Sequence, residues 1–185
     1  AVSYEFQSKL GNLLGKRTYQ YFLVANGIIG PVLLGAAVAT FFNGSNFVVS
    51  KGNITQEAMP VISQWANGWH GLDALLDLWN VVLGLAVLFL SRCLGILYFI
   101  NNVSDAELLP RFRRRLMVEA VCFVAFFVPF VIYVLLKDGF AVDAASGSIV
   151  MESYKYFHNL MAMPWVLGLF LLGVVAVLFG LGRSI

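Results

Sequence analysis

Only a few side chains able to do chemistry lie in or beside the apolar stretches of this 185-residue chain. Glu5 sits in Ser3-Tyr4-Glu5-Phe6-Gln7-Ser8-Lys9, between two aromatics and just ahead of a basic residue. A carboxylate at a partly desolvated membrane edge can collect protons and pass them on; the plainer alternative is a solvated acid paired with Lys9 at i+4. Arg92 is the single basic residue inside an apolar run. It reads either as part of a polar site within the membrane, together with Asp77, or as a side chain snorkelling to the surface. Fifteen residues separate Asp77 from Arg92, about 22 Å along a helix, too far for direct pairing. Asp73 and Asp77 also suit a helix start, where the macrodipole favours acids.

Arg111, Arg113, Arg114 and Arg115 form a basic cluster. Such a cluster contacts anionic lipid head groups or simply fixes membrane orientation. Glu119 follows as an anion near a helix start, with Arg115 at i−4. His70 and His158 lack a second ligand at the three- or four-residue spacing of a helix-borne metal or haem pair. Cys93 and Cys122 have no paired spacing and read as packing thiols. There is no glycine-rich phosphate loop, nucleophile–base constellation or Cys/His metal pattern. The residues argue against a self-contained active site and against a metal held by this chain.

The elements that must position these groups are membrane helices. Hydrophobic residues make up 60% of the chain, charged residues 12%, and the mean hydropathy is +0.83, which leaves too little polar surface to coat a soluble domain. No charge occurs between Arg17 and Lys51, between Glu119 and Lys137, or between Lys155 and Arg183. Each gap holds an apolar core of about 20 residues, the length that crosses a bilayer. Four transmembrane helices are predicted, at about residues 18–42, 71–100, 116–136 and 161–181. Nothing alternates with period two over a barrel strand's length, so the fold class is an all-α, polytopic transmembrane helical bundle in a single membrane-embedded region, residues 1–185. Gly27, Pro31, Gly35 and Ala39 in the first span, and Gly173, Ala176 and Gly180 in the fourth, form small-residue stripes for close helix packing. Pro31 and Pro129 fall inside spans and should kink them.

Lys9, Lys16, Arg17, Arg111, Arg113, Arg114, Arg115 and Arg183 fall on one side of this topology, against Lys51, Lys137 and Lys155 on the other. The positive-inside rule assigns the first side, with both ends of the chain, to the cytoplasm. Trp65, Trp69 and Trp79 then mark the outer interface. The chain opens at Ala1 with neither an initiating Met nor a signal peptide, and it reads as the middle of a longer subunit.

AVSYEFQSK at Ala1 to Lys9, the following RTYQYFLVANGIIGPVLLGAAVATFFNGSNF, the WHGLDAL stretch and the inward helix ending YFINN resemble subunit II of the cytochrome bd-type quinol oxidases. The resemblance covers nearly all of the chain and about half of that subunit. It implies an accessory, haem-free subunit of a quinol:oxygen oxidoreductase in the bacterial cytoplasmic membrane. Its partner would be the haem-bearing subunit I, where b- and d-type haems are expected. The family's subunit II stabilises the heterodimer and is implicated in moving protons from the cytoplasm to the site of oxygen reduction. Glu5 matches the acid of the family motif, which assigns it to that proton path. Membrane lipids and quinone are further candidate ligands, and nucleic acid is not expected. The rival readings are a small secondary transporter or half-transporter using Asp77 and Arg92 at the midplane, and a purely structural membrane adaptor.

Overall fold

A computed structural model describes residues 2–9, 11–12, 14–49, 63–143 and 147–184. Ala1 of the motif and Lys51 of the second loop lie outside the described residues. Four helices are long and apolar enough to cross a membrane, and the chain divides into two compact units, Ala1–Leu88 and Phe89–Ile185.

The first unit opens with a short helix α1 (Val2–Phe6), followed by α2 (Lys16–Asn43). Phe6 stacks on Tyr19 with ring centroids 6.3 Å apart, which pins α1 to the start of α2. Strands β1 (Phe47–Val49) and β2 (Ser63–Trp65) then pair antiparallel, Phe47 opposite Trp65. A 3₁₀ turn at Leu72–Leu76 leads into α3 (Leu78–Asn102), whose first half belongs to this unit. The predicted second span ran unbroken from residue 71. The observed break has a local cause: Gly71 takes φ 90° and Asp77 an extended backbone, so the α-helix starts only at Leu78. A side chain at Gly71 would also strike the ring of Trp65 at 2.8 Å.

Close helix contact in this unit is made by a glycine pair. A Cβ at Gly35 would lie 2.7 Å from the Cα of Gly84, and one at Gly84 would lie 2.7 Å from the carbonyl oxygen of Val32. Gly35, Ala36 and Ala39 of α2 are buried beside this approach, as the small-residue stripe anticipates; Gly27 has open space around it.

The second unit contains the rest of α3, α4 (Leu108–Leu136), strands β3 (Gly139–Val142) and β4 (Ile149–Glu152), α5 (Lys155–Ala162) and α6 (Pro164–Ser184). β3 and β4 pair antiparallel with Gly139 opposite Glu152. Both small sheets lie in connections between long helices, where water can satisfy an edge that lipid could not. Helix α4 begins eight residues before the predicted start of the third span. The carboxylate of Asp105 accepts the N–H groups of Glu107 and Leu108, and Pro110 falls in the first turn, where its missing N–H is tolerated. The arginine cluster is therefore helical, not a loop. The fourth span starts three residues later than predicted: α5 ends at Ala162 and Pro164 opens α6 at the position that suits proline.

Cys93, Leu116 and Ala120 form the buried core of this unit, with Ile96, Leu97, Ile100 and Leu181 packed against them. Phe89 and Phe126 stack at 5.6 Å. Helix α6 has no buried residue, and open space surrounds Gly173 and Gly180 among the described residues. The stripe predicted for close packing in the fourth span is thus unoccupied by any neighbour described here. Exposed apolar faces are what a chain in lipid presents outward.

Candidate functional site

In the second unit, three charged side chains meet on one carboxylate oxygen. Arg92 comes from α3, Arg115 and Glu119 from successive turns of α4. Arg92 Nη2 and Arg115 Nε each donate to Glu119 Oε1 at 2.7 Å. Glu119 is 1% exposed, whereas the side chains of Arg92 and Arg115 are 41% and 59% exposed. The other carboxylate oxygen, Oε2, is buried with no hydrogen-bond partner among the described residues.

Helical spacing explains the arrangement. Glu119 lies on the α4 face that carries Leu116, Ala120 and Phe123, all buried, while the i−4 relation brings Arg115 alongside it. Cys93, adjacent to Arg92, packs in the same core as Leu116. The pairing of Glu119 with Arg115 follows the sequence expectation; its position does not. With α4 starting at Leu108, Glu119 is three turns inside the helix, beyond reach of the N-terminal dipole. The Arg92–Glu119 pair went unread in the sequence, although one signal was present: a lone base in one apolar run and a lone acid flanking the next are expected to find each other. Two cations on one anion leave a positive charge over, with guanidinium N–H groups directed elsewhere.

Arg111, Arg113 and Arg114 occupy the two turns before Arg115. All three are exposed and form no ion pair among the described residues.

The first unit has a polar network of a different kind. Asp77 Oδ1 caps α3 by accepting the N–H groups of Trp79 at 2.9 Å and Asn80 at 3.0 Å. It also takes a long contact of 3.4 Å from Asn43 Nδ2. Asn80, 2% exposed, accepts from Asn43 Nδ2 at 2.7 Å and donates to the carbonyl of Ala74 at 2.9 Å. Asp73 Oδ2 accepts from Asn46 and Asn67 at 2.6 and 2.9 Å. Those two amides, Asn46 foremost, hold the Asp73 carboxyl below its ordinary value. Asp77 is thus at a helix start, as one of its two sequence readings has it, and Arg92 is engaged by Glu119.

Glu5 is exposed on α1 and forms no ion pair with Lys9, whose ammonium instead lies over the Phe6 ring at 5.9 Å. His158 Nδ1 lies 2.8 Å from Glu152, and His70 sits exposed in the connection after β2.

The family described as cytochrome bd terminal oxidase subunit II matches residues 1–184. No curated protein and no solved structure matches the chain. With four helices able to cross a membrane and a match that stops one residue short of the full length, the chain belongs to the cytochrome bd terminal oxidase subunit II family and is part of a respiratory oxidase complex.

Proposed function

We propose that this chain is the haem-free accessory subunit of a respiratory quinol:oxygen oxidoreductase, stabilising the haem-bearing subunit and helping to deliver protons from the cytoplasm. The family match over residues 1–184 carries this reading. The polar groups of this chain support the division of labour: Asp77, Asp105, Glu119 and Glu152 are engaged in caps and ion pairs, whereas Glu5 stands exposed. The b- and d-type haems of the partner subunit would supply the electron chemistry. This subunit contributes apolar helix faces, such as that of α6, on which a partner or lipid can pack. By the distribution of basic residues, both ends of the chain and the arginines of α4 face the cytoplasm of a bacterium.

Glu5 is the group assigned to protons. It projects from α1, a short helix anchored at the membrane end of α2 by the Phe6–Tyr19 stack. From there an exposed carboxylate can exchange protons with bulk water and pass them into the protein. Glu5→Gln in the complete complex should slow proton uptake and oxygen reduction severalfold while haem content stays the same. Unchanged turnover and proton uptake would remove Glu5 from the path.

A further inference from the structure

The Arg92–Glu119–Arg115 cluster is not closed. Glu119 neutralises one of the two guanidinium groups, and the remaining positive charge sits on side chains that are 41% and 59% exposed within membrane-spanning helices. An uncompensated charge in such a position is costly and calls for an anion. Arg92 donates through Nη2 and Arg115 through Nε, so among the described residues the other guanidinium N–H groups of both are available to a second acceptor. Because both donate to the same oxygen, the two guanidinium groups are held side by side, the spacing that a tetrahedral phosphate with several oxygens can bridge.

The surroundings favour a lipid over a dissolved anion. Leu94 and Tyr98 of α3 and Met117 and Val118 of α4, close along each helix to the arginines, are exposed apolar residues. Paired guanidinium groups beside exposed apolar residues of membrane-spanning helices match a molecule with a phosphate at one end and acyl chains at the other.

We infer that Arg92 and Arg115, positioned by Glu119, clamp the phosphate of an anionic phospholipid whose acyl chains lie along the exposed apolar residues of α3 and α4 near them. This goes beyond a general attraction of the Arg111–Arg115 cluster for the membrane surface, because it requires Arg92, from a different helix, and the buried carboxylate that aligns the pair. It does not depend on the proton role of Glu5.

The test uses the complete oxidase complex in phosphatidylcholine bilayers, with spin-labelled phosphatidylglycerol and spin-labelled phosphatidylcholine as probes of lipid association. The native complex should prefer the anionic probe. Arg92→Gln should lower that preference about fivefold, the effect of one basic residue at the surface. Glu119 keeps Arg115 as its ion partner in this variant, so the fold should survive. Arg115→Gln, which leaves the Arg92–Glu119 pair, provides the same reading if Arg92→Gln does not assemble. Arg113→Gln, outside the clamp, should have a clearly smaller effect. Equal losses in all three variants would show a diffuse field and overturn the clamp. So would an unchanged preference in Arg92→Gln and Arg115→Gln, or displacement of the probe by inorganic phosphate, which would make the site one for a free anion.

Discussion

Two carboxylates of the first compact unit and two of the second are held in opposite ways. In the first, Asp73 and Asp77 accept from neutral amides: the side chains of Asn43, Asn46 and Asn67 and the backbone of Trp79 and Asn80. In the second, Glu119 and Glu152 are held by cations or by groups that can become cations: Arg92 with Arg115, and Lys155 with His158. Amide donors satisfy a carboxylate without cancelling its charge, and they hold their geometry at any salt concentration. Cationic donors bind more strongly but leave a charge balance to settle, and that balance changes with the partner available. The first arrangement suits a fixed helix start. The second leaves room for an outside ligand.

Removing the acid of the second arrangement should have the largest effect. Glu119→Leu leaves Arg92 and Arg115 side by side without their shared anion, at the seam of α3 and α4. We expect a loss of about 2–4 kcal/mol, below the value for a fully buried pair because both arginines are partly exposed. Thermal unfolding of the solubilised complex would measure it. Arg92→Gln should cost far less, since Glu119 keeps one cation; equal losses for the two variants would mean that the cluster acts as a simple pair.

The corresponding cut in the first unit is smaller. Asn80→Ala removes the acceptor of Asn43 Nδ2 at 2.7 Å and the donor to Ala74, at a cost of about 1–3 kcal/mol for the two hydrogen bonds lost at a buried side chain. Net charge is unchanged, so the loss should not vary with ionic strength. A loss that shrank in high salt would break the distinction between the units.

These two arrangements were unequally legible in the sequence. Three charge-free gaps and one further apolar run disclosed the four spans, because the thickness of a bilayer sets helix length almost independently of side-chain detail. The start of α3 was less visible: Gly71 and Asp77 look unremarkable until backbone angles show the chain turning twice before the helix begins. The eight-residue extension of α4 was hidden by its arginines, which mark a membrane boundary without ending a helix. The small-residue rule found Gly35, and its partner Gly84 emerged only from the packing. Asp77 was readable as a helix-start acid, but its capping of α3 was not, because the predicted span began at residue 71. The Arg92–Glu119 pair was not, because 27 residues and a reversal of the chain separate them, and a local pattern has no access to that distance.

The smallest predicted effect extends the comparison to the loops. The Asp73 carboxyl lies below its ordinary value of 3.8, chiefly because of Asn46, and that of Glu152 below 4.5, chiefly because of Lys155. For a carboxylate whose value falls on folding, stabilisation is complete above the unfolded value and disappears as pH drops through the lowered one. The Glu152 loop should therefore hold steady from neutral pH to about 4.5 and the Asp73 loop to about 3.8, each loosening below that value, as read by amide hydrogen exchange in β4 and α5 in the first case and around Asn46 and Asn67 in the second. Salt separates them. Raising ionic strength should weaken the Glu152–Lys155 contact, which is exposed to counter-ions, and leave the amide-held Asp73 unaltered. A parallel response to salt in both loops would mean that the identity of the donor does not govern how these carboxylates are held.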